Sequence, residues 1–455
     1  MQLHVPGLSE RATKQLDETS KSPLFSAIFR TFGNQASLIS PLRRRLRTAA
    51  YWSEENPDGV VNAGLAENSL LHDWLIKFWE RQGTLKIGHT DLTYGTSILG
   101  SSRIFSALGE HYQRYFAPHV PVAEKHIATS NGLSPMIEHI AAVISDPGDQ
   151  WLLPAPWYNG FVPDLNAASQ VGIASVSIPA GKNGTLAEVE AMHAEMERRA
   201  GDKSAPKITA VLVTNPHNPL GFCYTREVLI EYCKFADKWN LYLVSDEIYA
   251  LSVFDADHSA EVAPFTSILS IDAVREAGCS PARIIQLYGA SKDFGANGIR
   301  AGNAVCQHND KFMSALASTA MPMRMGSPTD ILWSALLTSP DLEEYLSLNR
   351  RALSRAYAYL TAWLRAQDLP YTPANAGHFV LVDYRKHVDK VEPDDNTWEN
   401  VEDKFIKEIA FLNKLVDAGV YCGPGRKEIE VALERIEQLC GMPAKAKELS
   451  GQYPP

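Results

Sequence analysis

Short apolar runs alternate with amphipathic stretches through the middle of the chain. The apolar runs are rich in β-branched and aromatic residues and end at Gly, Pro, Asn or Asp, which is typical of buried strands. They read KHIATS, QWLLPAP, ASVSIPA, ITAVLVTNP, LYLVSDE, RIIQLYG and GNAVCQ. Between them, LSPMIEHIAAVI and TREVLIEYCKFADKWN have helix-like patterns, and Thr225 is the expected N-cap of the second. The alternation predicts an α/β fold with a mostly parallel sheet covered on both faces.

The pattern changes after residue 326. A long helix-rich stretch is interrupted near Ser339–Pro340, and a strand-like HFVLVDY and a terminal helix, KEIEVALERIEQLC, follow it. We therefore expect a large domain over residues 61–330 and a smaller α+β domain over residues 331–455. The first 60 residues have no strong pattern, and we expect them to pack on both domains.

Composition narrows the possible partners. The 455-residue chain has a net charge of −10, so we expect no nucleic-acid partner. Its six cysteines form no CxxC pair or metal-ligand spacing, and the N-terminus lacks an apolar signal region. No run approaches the ~20 apolar residues that span a membrane. We expect a cytoplasmic protein with no metal site and no membrane association.

Four groups of polar residues follow predicted strands, where ligands bind in this fold class. They are TSNGLSPM (129–136), TNPHNPLG (214–221), VSDEIY (244–249) and LYGASKDFGANGIRAG (287–302). Taken alone, the second is explained by an ordinary Asx/Pro turn and the third by a helix cap. Lys292 is harder to explain as a surface lysine, because it leaves an apolar strand and enters a glycine-rich turn.

The order of these groups is more specific than any one of them. A helix terminus that binds an anion is followed by Asn, then Asp and Tyr, then Lys, then Arg. These are the groups needed to hold pyridoxal phosphate: an amine that bonds to its aldehyde, an acid for its pyridine nitrogen, donors for its ring oxygen and cations for its phosphate. The sequence therefore predicts a large domain that binds pyridoxal phosphate.

From about residue 50 to 425 the chain resembles the fold-type I, class I/II aminotransferases. Within them it is most similar to the 1-aminocyclopropane-1-carboxylate synthase-like branch, especially its fungal members. The motifs that carry this resemblance are NPDGVVNAGLAENSLLHD, LTYGTSILGSSRIFSAL, PGDQWLLPAPWYNGF, HNPLGFCYTREVL, LVSDEIYALSVF and SKDFGANGIRAG.

The resemblance implies a role for each matching residue. Lys292 would bond covalently to the cofactor and act as the base at the substrate α-carbon, with a pKa lowered by its neighbours. Asp246 would pair with the pyridinium, and Tyr249 and Asn218 would bond the ring oxygen. The phosphate would be held by Arg300, Ser291, Leu133 and Ser134, and by Tyr94 from the second subunit of a homodimer. Tyr158, or its neighbour Trp157, would stack on the ring, and Glu67 and Ala66 would lie near the substrate.

The resemblance indicates the cofactor more firmly than the reaction. We expect an aminotransferase of (secondary) metabolism that acts on an amino acid or an amino-acid conjugate. The alternative is β- or γ-elimination, by a C–S lyase of a sulfur-metabolite pathway or by a 1-aminocyclopropane-1-carboxylate synthase. A non-catalytic relative that only binds the cofactor is a third hypothesis.

One expected element is missing. In the resembled family, the motif near DAGVYCGPG is followed by a loop and a strand whose arginine binds the substrate α-carboxylate. Here Gly425 is followed almost at once by the terminal helix. Either the gene model has lost an exon, or the substrate lacks a free α-carboxylate, or Arg426 has taken over the role. We expect a small domain that is one strand short.

Gly289 is a second departure, because many relatives place a phosphate-binding serine there.

Overall fold

The computed structural model describes residues 52–53, 55–62, 67–95, 97–257, 263–392, 403–421, 428–450 and 452. The strands within these ranges are β1 (Val61–Asn62), β2 (Ile127–Ser130), β3 (Gln150–Pro154), β4 (Gly172–Val176), β5 (Ile208–Thr214), β6 (Tyr242–Asp246), β7 (Ile284–Gly289), β8 (Gly302–Val305) and β9 (Val420–Tyr421).

The helices in the same ranges are α1 (His72–Gln82), α2 (Ser102–Tyr115), α3 (Leu133–Ile144), α4 (Phe161–Asn166), α5 (Leu186–Ala200), α6 (Arg226–Lys238), α7 (Ala273–Ala277), α8 (Asp310–Thr319), α9 (Ser327–Leu337), α10 (Leu342–Ala366), α11 (Arg385–Val388), α12 (Asp403–Asp417), α13 (Glu428–Cys440) and α14 (Ala446–Ser450).

The described residues fall into two compact units. The large unit holds Ala66–Ala358 and Thr372–Leu381, and the small unit holds the described residues of Met1–Leu65, Tyr359–Tyr371 and Val382–Pro455.

A seven-stranded sheet forms the centre of the large unit. Its strand order is β2-β8-β7-β6-β5-β3-β4, and β8 runs antiparallel to both of its neighbours while the other pairs are parallel. All seven residues of β5 are buried, with Val211 and Val213 in one hydrophobic cluster and Ala210 and Leu212 in another. Since successive side chains of a strand point to opposite faces, both faces are covered, as the continuous apolar runs predicted.

Local signals in the sequence place several helices correctly. Helix α6 begins after Thr225, whose hydroxyl accepts a hydrogen bond from the backbone N–H of Val228 at 3.4 Å. The expected break near Ser339–Pro340 separates α9 from α10, because proline lacks the N–H that a helix interior needs.

The small unit contains a short parallel pair, in which Val61 lies opposite Val420. The Arg435 guanidinium joins the loops before this pair, donating to the carbonyls of Gly59 at 2.8 Å and Gly419 at 2.7 Å.

The strand expected at HFVLVDY does not form. Val382 makes only an isolated bridge to Tyr371. The chain just before it turns at Gly377, which has a φ of +74°, and the backbone N–H of Gly377 donates to Ser252 at 3.0 Å. The alternation of apolar residues therefore does not decide the local structure here. The chain forms a turn that is hydrogen-bonded to a loop of the large unit.

Three expectations fall outside the described residues. These are the packing of most of the N-terminal segment, the position of Ala66, and the region of Gly425 and Arg426 where a strand is expected to be missing. Among the helices that are described, none is both long and apolar enough to cross a membrane.

Candidate active site

The polar groups that follow the strands meet along one edge of the sheet. Thr214 at the end of β5 pairs with Asp246 at the end of β6, and Asp246 pairs with Leu287 of β7. Strand β8 begins at the same edge, where Gly302 lies opposite both Gly289 and Ser130. The edge therefore carries the segments that contain Leu133, Ser134, Asn218, Tyr249, Ser291, Lys292 and Arg300.

Lys292 is the cationic centre of this edge. Burial lowers the pKa of its amine to about 8, although the negative charges of Glu67 and Asp246 act to raise it. The Arg300 charge lowers it further. The pKa is lowered, as expected, and the dominant cause is desolvation by the residues packed around the amine, since two of the three neighbouring charges oppose it.

Asp246 is buried, with 5% of its surface exposed. Burial raises the pKa of its carboxyl to about 7, and a hydrogen bond from the backbone N–H of Ile248 and the charge of Lys292 act in the opposite direction. That hydrogen bond is 3.2 Å long and reaches one carboxylate oxygen. A cationic N–H donor bound to this desolvated carboxylate would lower its pKa again and so favour the ionised form.

Tyr249 is buried beside Asp246. Its ring is contacted edge-on by His378 and Phe379, with ring centroids 5.1 Å away in both cases. Burial raises the pKa of its phenol well above the ordinary value, and the charges of Tyr158, Asp246 and Asp293 raise it further. The hydroxyl therefore keeps its proton and can act as a hydrogen-bond donor.

The N-terminus of helix α3, together with the Arg300 guanidinium, is suited to bind an anion; we call this the anion cradle. Gly132 is the N-cap, has a φ of +114° and provides no side-chain cap for the helix. A Cβ at Gly132 would lie 2.2 Å from a guanidinium nitrogen of Arg300, so only glycine lets the guanidinium approach. Helix N-termini carry partial positive charge, and adding an arginine there favours a bound anion. The Arg300 guanidinium also donates to the carbonyl of Asn297 at 2.8 Å.

Ser134 lies in the first turn of α3, after Leu133. Its hydroxyl hydrogen-bonds to the carboxyl of Asp164, whose pKa is raised to about 7, first by burial and then by the charges of Asp246 and Glu138. The Arg300 charge partly offsets this increase. Asp164 therefore adds a second desolvated acid beside the anion cradle.

The two aromatic candidates at 157 and 158 differ in their surroundings. Burial raises the pKa of the Tyr158 phenol to about 12, followed by the charges of Asp164 and Asp246. The Trp157 indole donates to the hydroxyl of Ser175 at 3.0 Å and lines a small cavity together with Asn218. Tyr158 is thus coupled by charge to Asp246, and Trp157 shares a cavity with Asn218, so both remain candidates for stacking on the ring.

Three further predicted residues can be located. Glu67 is exposed and is coupled by charge to Lys292, and Ser291 lies directly before Lys292 in the same turn. Tyr94 is 72% exposed, and the Arg324 guanidinium carbon lies 5.8 Å from its ring centroid. Within one chain, the Glu67 charge therefore acts on the Lys292 amine, whereas Tyr94 lies on the surface.

The structure also explains why position 289 is a glycine. A Cβ at Gly289 would lie 2.6 Å from the backbone oxygen of Ala301 and 3.2 Å from the Cα of Gly302. A serine there would require the two strands to move apart.

Sequence reasoning missed Gly132, Asp164, Asp293, His378 and Phe379. Gly132 and Asp293 lie within two of the polar motifs, TSNGLSPM and LYGASKDFGANGIRAG, but their contacts depend on the folded chain. Asp164 carried no signal apart from its place in a short helix.

The family assignment follows from comparison with known proteins. Residues 63–444 match the family model described as aminotransferase class I and II. The chain belongs to this family and is an enzyme of the transferase class.

Particular relatives agree with this assignment. The chain is 33% identical over 370 residues to the probable aminotransferase aclI of Aspergillus oryzae, covering 80% of this chain and 82% of the relative. It is 29% identical to the 1-aminocyclopropane-1-carboxylate synthase-like protein 1 of Takifugu rubripes, covering 73% of this chain and 53% of that protein. The resemblance to that branch and to fungal aminotransferases is confirmed.

A solved structure supports the fold alone. A double mutant of the Thermus thermophilus aspartate aminotransferase superposes with a TM-score of 0.67 at 19% identity, covering 96% of this chain and 100% of that chain. The expected α/β architecture is confirmed.

Proposed function

We propose that this protein transfers the amino group of an amino acid or an amino-acid conjugate, using pyridoxal phosphate bound at Lys292. The observation that carries the proposal is a desolvated lysine that is coupled by charge to two acids and to an arginine, the arginine lying against the helix N-terminus at Gly132. At pH 7 about a tenth of an amine with a pKa of about 8 is neutral and reactive, whereas an exposed lysine is almost fully protonated.

The residues at the sheet edge fit this cofactor. A phosphate would be bound by the helix N-terminus at Gly132 and by the Arg300 guanidinium. Leu133, Ser134 and Ser291 would complete this site. Buried Asp246 would hold a protonated ring nitrogen. Tyr249 and Asn218 would bond the ring oxygen, and Tyr158 would stack on the ring.

When it is bound, pyridoxal phosphate withdraws electrons from the substrate α-carbon. The protein would supply the remaining requirements. The Lys292 amine would take the proton from the substrate Cα and return it during the reaction. Asp246 would keep the ring nitrogen charged, and the rings of His378 and Phe379 against Tyr249 would limit the entry of water. Glu67 and Ala66 would face the substrate.

The test of cofactor attachment is chemical. Purified protein treated with borohydride should carry reduced pyridoxal phosphate on the peptide that contains Lys292, and the Lys292→Ala variant should carry none. A stable label on a different lysine would contradict the proposal.

A substrate screen distinguishes amino transfer from elimination. Amino transfer requires a keto acid and leaves a new amino acid, whereas elimination releases a keto acid with ammonia or a thiol and needs no acceptor. We expect turnover to depend on an added keto acid. Release of a thiol from cysteine conjugates without an acceptor would show a C–S lyase instead.

A further inference from the structure

We infer that Asp293 is a positioning residue for this site: its buried carboxylate ties the turn that carries Lys292 to the turn that carries Tyr249. The inference rests on the proposed function, since it concerns two side chains assigned to the cofactor. Asp293 directly follows Lys292 and has no exposed surface. A buried acid at this point must be satisfied by hydrogen bonds, because an unpaired buried charge is strongly unfavourable.

The carboxylate accepts hydrogen bonds from two residues that follow Tyr249 and from one residue of β7, the strand that precedes Lys292. One oxygen accepts from the backbone N–H of Leu251 at 2.9 Å and from the hydroxyl of Tyr288 at 3.0 Å. The other accepts from the hydroxyl of Ser252 at 2.6 Å. The backbone N–H of Ser252 in turn donates to the carbonyl of Tyr249 at 3.0 Å, so this turn is fixed at its carboxyl end.

The backbone of the same residue is held from the other side. The Asn349 side chain donates to the carbonyl of Asp293 at 3.3 Å and accepts a hydrogen bond from the Asn68 side chain at 2.8 Å. Both asparagines are buried, and Asn68 directly follows Glu67. The turn that carries Lys292 is therefore held by polar groups on both sides.

The hydrogen-bond donors of the cluster suit a carboxylate better than an amide. The groups aimed at the Asp293 oxygens are donors, and an ionised carboxylate only accepts, whereas an asparagine amide would present its own donors to them. Burial raises the pKa of Asp293 to about 7, and hydrogen bonds from Ser252, Leu251 and Tyr288 oppose this rise. The negative charge also helps to raise the pKa of the Tyr249 phenol.

The test measures how firmly the holoenzyme holds pyridoxal phosphate. The Asp293→Asn variant should release the cofactor about tenfold faster, because hydrogen bonds to a buried charge are lost. Release is followed by the loss of protein-bound visible absorbance during ultrafiltration. The visible circular dichroism per bound cofactor should also weaken, because it reports how tightly the cofactor ring is oriented.

Glu437→Gln is the matched control. Glu437 is also buried, and one of its oxygens accepts from Trp363, Gln367 and the backbone of Lys445 and Ala446, all in the small unit. Both variants should melt at a lower temperature than wild type, but Glu437→Gln should keep the wild-type release rate and circular dichroism. If both variants release the cofactor equally fast, Asp293 contributes only to stability and the inference fails.

Two milder variants test the same contacts if Asp293→Asn does not fold. Tyr288→Phe and Ser252→Ala each remove one donor and leave the charge, and each should speed cofactor release about threefold. If both variants release the cofactor at the wild-type rate, the inference about Asp293 is overturned, but the proposed function is not. A wild-type protein with no bound chromophore after incubation with pyridoxal phosphate would overturn the proposed function and the inference with it.

Discussion

At the residue scale, the Lys292 amine is controlled by opposing effects. Burial lowers its pKa to about 8, while Glu67 and Asp246 act to raise it. Because only the neutral amine attacks an aldehyde, cofactor capture should increase as pH rises through the pKa of this group.

We therefore predict that the rate at which apoprotein captures pyridoxal phosphate rises with pH, with a midpoint near 8. Asp246→Asn and Glu67→Gln should move this midpoint to lower pH, because each substitution removes a negative charge that stabilises the protonated amine. Stopped-flow absorbance measures the rate. A midpoint near the ordinary lysine value, or a shift to higher pH in both variants, would contradict the electrostatic account.

Gly132 offers a second test at this scale. Gly132→Ala should weaken pyridoxal phosphate binding by about tenfold or more, since its Cβ would displace the Arg300 guanidinium from the helix N-terminus. Binding of pyridoxal, which has no phosphate, should change much less. Fluorescence titration of the apoprotein measures both affinities.

Gly148→Ala is the control for Gly132→Ala. Gly148 also has a positive φ, of +95°, but nothing lies within 4 Å of the position of an added Cβ. Both variants carry the backbone strain of alanine in this conformation. Equal loss of phosphate-dependent affinity in the two would mean that strain, rather than the position of Arg300, sets the affinity.

At the element scale, capping explains where helix α6 begins. Thr225→Ala should lower the free energy of unfolding by ~1 kcal/mol, because the Val228 N–H loses its side-chain acceptor. Thr185 is a useful comparison: it is the N-cap of α5, but its side chain accepts no capping hydrogen bond. Urea denaturation of Thr185→Ala should show a smaller loss, and an equal or larger one would argue against the cap.

At the scale of the whole molecule, one exposed segment indicates a second subunit. Leu85, Ile87, Leu92 and Tyr94 are each more than half exposed, with Tyr94 at 72%. Large apolar side chains clustered in this way are typical of protein interfaces. We propose that the protein is a homodimer in which Tyr94 reaches the neighbouring subunit's phosphate site.

Mixing inactive subunits tests this arrangement. Lys292→Ala and Tyr94→Ala proteins, mixed and allowed to exchange, should recover up to about a quarter of wild-type activity, since half of the dimers would contain one intact site. Lys292→Ala mixed with Asp246→Ala should recover none, because both lesions lie in the same chain's contribution to the site. No recovery in the first mixture, with mixed dimers shown to form, would argue against shared sites.

The sequence by itself determined the regular elements of the large unit and the order of its polar groups. The seven buried strands, the N-cap at Thr225 and the break near Ser339–Pro340 follow from local patterns, because apolar periodicity, capping and proline act over a few residues. The convergence of Asp246 and Lys292 also follows, since parallel strands bring their carboxyl ends to one edge. Arg300 reaches the same edge because the antiparallel strand β8 begins there.

The tertiary structure alone decided the environment of those residues. The pKa of Lys292 is set mainly by burial, and desolvation depends on residues distant in sequence that pack around the amine. The same holds for the Asp293 carboxylate, which joins Leu251 and Ser252 across about 40 positions of the chain. The turn that replaces the expected strand at HFVLVDY is likewise a tertiary outcome, because its backbone bonds to loops of the large unit outweigh the local alternation.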